Sequence, residues 1–439
     1  MNAPASHPHP SADTPLVALG VPGPIGLVLT GGGARAAYQV GALLGIRRIL
    51  LESRWPQRTN PFRIVCGTSA GALNAAALAA GADDLFGAIA RLGAIWGNVE
   101  PAQVYRSDIG GALGNAGRWV GNVGLGWLVR KAPRSLFDNS PLESLLVRTI
   151  DFERLQKNLA QGHLDSLAIG ASSYSSGHHI TFYQSRDARP PWVRSQRVAY
   201  PTTIGVRHLM ASAALPFLFP AIPLVINGRR EFCGDGSMRQ MAPTSPVVHL
   251  GADRILVIGS AQLPETVAAP GAGAPPAAIG RGTGEGAVVA GARARGGARD
   301  PVDPSMTSGE YPSLAEVGSH MLASIFFDAL ASDLERIKRI NRTLSLMPPA
   351  VRAHSPLRVI ETLVIAPSRP LDQLAVAQVS ALPTSVRALL RVAGARREGG
   401  AGIGSYLLFD RSYTRRLMAL GRRDALDQAE RIKAFFEMP

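Results

Sequence analysis

Arg63-Ile64-Val65-Cys66-Gly67-Thr68-Ser69-Ala70-Gly71-Ala72-Leu73-Asn74-Ala75-Ala76-Ala77 is the stretch that decides the fold. An apolar run of strand-forming residues enters a turn bounded by two glycines, and an alanine-rich, helix-forming run leaves it. Strand, sharp turn and helix in that order make a nucleophile elbow, which holds a serine hydroxyl above the end of a sheet. Gly67 and Gly71 suit a close approach of strand and helix, where side chains would collide. The hydroxyl also sits at a helix N-terminus, where free N–H groups and the helix dipole favour developing negative charge. Ser69 is therefore a candidate nucleophile. A tight strand-to-helix turn capped by a serine is the other reading of the same residues.

A second glycine cluster lies upstream. Ile25-Gly26-Leu27-Val28-Leu29-Thr30 runs into Gly31-Gly32-Gly33-Ala34-Arg35 and then into a helix through about Leu50. Three glycines let successive N–H groups turn toward one bound oxygen, as an oxyanion hole requires. Arg35 adds a positive charge. Gly31-x-Gly33-x-x-Ala36 also fits the dinucleotide fingerprint, which needs an acid at the end of the second strand. That strand ends at Cys66-Gly67 without one, and Glu52 lies at a helix end. No P-loop is present. The oxyanion reading uses both glycine turns together.

A nucleophilic serine needs a base. A Ser-Asp-His order requires a late histidine, and His249, His320 and His354 are the choices. His249 and His320 fall in helical runs rather than in a turn after a strand, and none of the three carries the signal of a catalytic base. Asp235 is better placed. Leu224-Val225-Ile226-Asn227-Gly228 reads as a strand entering a turn, and Cys233-Gly234-Asp235-Gly236-Ser237 sets one carboxylate between two glycines. A carboxylate serves as general base if its surroundings tune it. An ordinary Asp-Gly turn is the alternative.

Together these residues resemble the patatin-like phospholipase family. The marks are the glycine-rich loop Gly31-Gly32-Gly33-Ala34-Arg35, the elbow Gly67-Thr68-Ser69-Ala70-Gly71 and the dyad motif Asp235-Gly236-Ser237. Ala211-Ser212-Ala213-Ala214-Leu215-Pro216-Phe217-Leu218-Phe219-Pro220 resembles the segment before the family's aspartate. The likeness runs from about Ile25 to Gln262, and stretches around Phe327–Leu344 and Ser405–Asp410 resemble longer bacterial members. One departure is Ser237, where the family has glycine or alanine. The resemblance implies Ser69 as nucleophile, Asp235 as base without a histidine, Gly31, Gly32, Gly33 and Arg35 as the oxyanion hole, Gly67 and Gly71 as the elbow glycines, and Gly236 as the dyad-motif glycine. It implies an α/β fold with a mainly parallel sheet sandwiched by helices and a helical C-terminal extension. The implied function is a phospholipase A-type lipid acyl hydrolase. A thioesterase or small-ester carboxylesterase with the same dyad is the alternative. No metal or other cofactor is expected, since nothing like H-E-x-x-H or a Cys/His ligand cluster occurs.

Composition bounds the rest. The chain has 439 residues and is 46% hydrophobic, ample for a core. Residues 1–23 hold Pro, His and Ser without periodicity or a signal-peptide pattern, and predict a disordered leader. Residues 24–262 form the expected catalytic domain. Residues 263–312, built of Ala, Gly, Pro and Arg, predict a flexible insertion. Residues 313–439 then complete the fold, with a helix around Leu314–Leu346 and a strand over Arg358–Ile365.

No charge-free apolar run reaches the length of a transmembrane helix. Two cysteines, Cys66 and Cys233, argue for a reducing compartment without a disulfide framework, and their places before the two turns raise the expectation that they are neighbours. The stretch Trp96 to Pro141, with three tryptophans among many glycines, reads either as a lid over an acyl pocket or as core packing.

Net charge is +14. From Val386 to Pro439 ten arginines and one lysine face six acids, a net of +5. These residues suit an anionic membrane surface or a merely solvated helix face. The expectation is a cytoplasmic protein acting on phospholipid or another lipid ester, able to sit peripherally on the inner membrane face. A nucleic-acid binder is the least favoured reading, because no recognition motif accompanies the charge. The sequence is silent on oligomeric state.

Overall fold

The computed structural model describes residues 23–106, 135–262, 314–392 and 399–438. The expected leader, the insertion and most of the proposed lid lie outside the described residues.

Ten strands among the described residues form one mixed sheet in the order β10-β9-β1-β2-β3-β4-β6-β5, with β8 also paired to β3 and β7 to β8. Its centre is parallel: β10 (Glu361–Ile365), β9 (Arg254–Ile258), β1 (Ile25–Leu29), β2 (Phe62–Thr68) and β3 (Ser166–Ser173). Beyond β3 the sheet becomes mixed. β4 (His179–Ser185) and β8 (Arg229–Asp235) both run antiparallel to β3. β6 (Arg197–Pro201) is parallel to β4, while β5 (Trp192–Arg194) and β7 (Ile222–Ile226) pair antiparallel with β6 and β8. The expected α/β class with a mainly parallel sheet and a helical C-terminal region is therefore what the chain adopts.

The central strands are buried on both faces, and alternation divides their side chains between two layers. Leu27, Leu29, Val65, Leu256 and Ile258 join the large apolar cluster on one face. Val28, Ile64, Cys66, Ile255 and Val257 join the cluster on the other. Each fully buried aliphatic side chain contributes about 1.5–3 kcal/mol. The first layer holds α1 (Ala37–Glu52), α2 (Ala70–Ala80), α3 (Leu85–Trp96) and α4 (Val206–Ser212), together with residues of the C-terminal helices. The second holds the turn of helix Ser245–His249 and Leu330, Leu334 and Ile337 of α5 (Leu314–Leu346).

The C-terminal region is built into this frame. β10 pairs in register with β9 along its whole length. α6 (Gly399–Leu407) reaches the turn after β1, α7 (Arg411–Leu426) packs along α1, and α8 (Ala429–Phe435) follows. α1 and α7 cross closely because a Cβ at Gly41 would meet the backbone of Met418, and one at Gly421 the backbone of Tyr38. Tyr38 donates its hydroxyl to Asp424 across the crossing at 2.8 Å. Among the described residues no single helix is long and apolar enough to cross a membrane.

Cys66 and Cys233 are both free and buried, and burial pushes each thiol up to about 12. They are not neighbours. Cys66 is paired with Ala168 and Cys233 with Ser173, on the same side of β3, away from β4, and five residues apart along it. The turns they precede converge, but the strands approach those turns from opposite directions.

Candidate active site

Strand register brings the sequence-predicted pair together. Thr68, the last residue of β2, is paired with Gly170 of β3. Asp235, the last residue of β8, is paired with Ala171, the next residue of β3. Ser69 follows Thr68 directly, so the two groups meet above one end of the sheet although they are 166 positions apart in sequence.

Ser69 has φ 56° and ψ −132°, a left-handed conformation that costs a non-glycine residue about 1–3 kcal/mol. The surroundings hold it there. A Cβ at Gly71 would fall on the carbonyl oxygens of Leu29 and Thr30, and one at Gly67 on the carbonyl of Gly71. The elbow is thus wedged against β1. Ser212, at the end of α4, supports it from the other side. Its hydroxyl accepts from the Ser69 N–H at 2.9 Å and donates to the Gly170 carbonyl at 2.6 Å.

Asp235 is 1 % exposed and Ser69 2 %. Burial raises the Asp235 carboxyl to about 6, opposed by the Ser69 hydroxyl and by the amide and hydroxyl of Ser237. The Ser237 N–H donates to Oδ1 at 2.9 Å. Oδ2 is buried with no partner of ordinary hydrogen-bond geometry among the described residues. The carboxylate is therefore under-satisfied and basic, facing the serine that stabilises its charged form. The Asp235 N–H donates to Ala214 at 2.9 Å, which fixes the strand end. A Cβ at Gly236 would meet the backbone of Gly170 and Ala171, so that glycine lets the aspartate turn lie on β3.

Gly31, Gly32 and Gly33 form the turn after β1, with Gly33 at φ 54°. None of their three amides donates to a backbone carbonyl among the described residues. The turn's carbonyls are held instead. Ser260 donates to the Gly31 carbonyl, and Gln39 donates to that of Thr30 at 2.7 Å. Gln39 belongs to a buried network in which Asn74 donates to it at 3.1 Å and Trp96 donates to Asn74 at 2.8 Å. That network joins the glycine turn to α1, α2 and α3. Arg35, in the 3-10 turn Gly33–Ala36 that leads into α1, directs its guanidinium to Ser405, Gly402 and the ring of Tyr406.

The weighed histidines are elsewhere engaged. His249 stacks on Trp192 with ring centroids 4.9 Å apart. His320 is exposed on α5, and His354 is exposed with Nδ1 2.8 Å from the Ala350 carbonyl. Sequence reasoning missed a fourth, His179. It is buried, which lowers its pKa to about 4, and its Nδ1 lies 3.1 Å from the Gly236 carbonyl. A carbonyl can only accept, so Nδ1 carries the proton and the neutral ring braces the aspartate turn. Gln240 was missed too; it donates to the Thr68 hydroxyl at 2.6 Å and ties the same turn to the elbow. Neither residue sits in a motif. Ser212 carried a weak signal, as the one polar residue in Ala211-Ser212-Ala213-Ala214.

A family model described as patatin-like phospholipase matches residues 27–248, just over half of the chain. The chain belongs to the patatin-like phospholipase family. The matched span begins in β1 and ends in the helix Ser245–His249, so it holds the Gly31–Gly33 turn, the elbow and the aspartate turn of the patatin-like core. β9, β10 and the helices after them lie outside it. Among solved structures the chain is similar to VipD from Legionella pneumophila, at 17% identity and a TM-score of 0.27, over 56% of this chain and 52% of that one. It thus spans about half the length of that protein. A comparison with curated proteins finds no match.

Proposed function

We propose that the protein is a lipid acyl hydrolase in which Ser69 is the nucleophile and Asp235 the general base. The observation that carries the reading is the meeting of a strained serine hydroxyl with a buried carboxylate raised to about 6. Family membership supports an ester of a lipid as substrate.

In this mechanism Asp235 takes the Ser69 proton as Oγ attacks the ester carbonyl carbon. The carbonyl oxygen becomes an oxyanion, received by the amides of the Gly31–Gly33 turn. Collapse breaks the ester bond, and Asp235 returns its proton to the leaving alcohol. Water then attacks the acyl-serine, Asp235 accepts its proton, and a carboxylic acid leaves with Ser69 restored. The base works as a carboxylate, so activity rises with pH through about 6. The arginine-rich C-terminal helices give the protein a means of resting on an anionic lipid surface.

The test is hydrolysis of anionic phospholipid vesicles and of a short p-nitrophenyl ester by wild type, Ser69→Ala, Asp235→Asn and His249→Ala. The expected result is loss of turnover by roughly a thousandfold or more in the first two variants alone. A preference for the short ester or for a thioester over vesicles would move the substrate to the esterase or thioesterase class. Activity surviving Ser69→Ala, or dying with His249→Ala in folded protein, would overturn the dyad.

A further inference from the structure

Three consecutive glycines supply donors but no rigidity. The turn that carries them must be aimed by something outside itself. Ser260 grips it on one side through the Gly31 carbonyl. On the other side it meets α6, some 370 positions later and outside the span that the family model matches.

The contact with α6 has a backbone part and a side-chain part. A Cβ at Gly33 would fall on the carbonyl of Tyr406, so the third glycine lies flat against the last turn of α6. Two residues on, the Arg35 Nε donates to the Ser405 hydroxyl at 2.7 Å, and Nη2 donates to the Gly402 carbonyl at 3.5 Å. The guanidinium carbon lies 4.2 Å from the centroid of the Tyr406 ring, within cation–π range. Ser405 donates its own proton to the Gly402 carbonyl at 2.6 Å, which leaves its lone pairs to Arg35. Arg35, Ser405 and Tyr406 are all buried. A planar fork of fixed donors is the group that can meet a hydroxyl, a carbonyl and a ring face at once; a lysine ammonium cannot.

We infer that Arg35 is a positioning residue that clamps the Gly31–Gly33 turn onto Gly402, Ser405 and Tyr406, so that α6 is an integral part of the catalytic site. The inference rests on the dyad reading above. It differs from the role that the resemblance implies for Arg35, because the Nε donor is committed to α6 rather than offered to an oxyanion.

The test uses the full chain with Ser405→Ala, Arg35→Lys and the double variant, each checked for folding by its melting curve. Steady-state hydrolysis of p-nitrophenyl butyrate is measured together with amide hydrogen exchange of the peptide covering residues 29–38. Each single variant is expected to lower kcat roughly tenfold or more with KM nearly unchanged, and to speed exchange across the glycine turn. Residues acting as a unit are not additive, so the double variant should be no worse than the poorer single. A Ser405→Ala protein with wild-type kcat and wild-type exchange would overturn the clamp, as would losses that multiply in the double variant. Should wild type hydrolyse no ester and Ser69 resist a fluorophosphonate, the dyad reading fails. Exchange at 29–38 still decides the clamp in that case.

Discussion

The two glycine turns beside Ser69 are held in different ways. The elbow at Gly67–Gly71 is wedged by its own backbone: glycine on each side of the serine lets strand, helix and β1 touch, and a Cβ at either place would strike a carbonyl. The Gly31–Gly33 turn has no such local lock. Its grip comes from Ser260, Gln39, Ser405 and Tyr406, side chains and backbone scattered over the rest of the chain. A turn fixed by sterics announces itself in a short motif. A turn fixed by distant partners shows its glycines and hides what aims them.

The sharpest way to test the local lock is Gly71→Ala. The added methyl meets backbone of β1, which cannot swing aside, so a loss of more than about 3 kcal/mol is expected. Urea unfolding of the variant against wild type measures it, and a small loss would mean the elbow is less tightly wedged than its geometry states.

Asp235 gives the next largest effect. Its carboxyl is raised from 3.8 to about 6 by burial. Between those values the folded protein binds more protons than the unfolded chain, so this group's contribution to stability falls as pH rises through that window. Above pH 6 the full cost is on the order of 3 kcal/mol. Asp235→Asn should therefore melt above wild type at pH 8, with the gain gone near pH 4, while turnover is lost. Melting curves of both proteins across that range check it. A variant that melts lower at pH 8 would show that the charge is better solvated than its burial implies.

Ser212→Ala asks whether the elbow too needs distant help. It strips a partner from the buried Ser69 N–H and Gly170 carbonyl, at about 1–3 kcal/mol. A fall in kcat of roughly tenfold, with KM held, would show that even the sterically locked turn needs one outside strut. Gln240→Ala should have the smallest effect. Its bond to Thr68 is half-buried, and removal should cost about 1 kcal/mol, a shift of a few degrees in a thermal melt.

Legibility in the sequence follows the same division. β1, β2 and β9 stand out as short apolar runs bounded by turn residues, and α5 falls on Leu314–Leu346 as its pattern indicates. β10 begins at Glu361 rather than Arg358, where it meets Arg254, the first residue of its partner β9. β3 is buried at every position yet reads Ser-Leu-Ala-Ile-Gly-Ala-Ser-Ser. Its small residues, Gly170 and Ala171 among them, accommodate Ser212, His179 and the aspartate turn, and they erase the hydrophobic period that marks a strand. The antiparallel half of the sheet hangs on β3, so it was the least legible part. Ser69 and Asp235 could be read because glycines flank each. His179 and Gln240 could not, since each acts through a single contact with a residue far away in sequence.

The clasp between Arg35 and Ser405 spans 370 positions, and that between Tyr38 and Asp424 spans 386. A ribosome adds about 5–20 residues per second. The glycine turn therefore waits some 20–70 s after it emerges before its last partner exists. The residues that wedge the elbow, Leu29 and Thr30, precede it in the chain, whereas the partners of the Gly31–Gly33 turn on α6 come last. On the proposed reading, the site is complete only once residues near the end of the chain are made, and a chain cut before Gly402 should lack turnover.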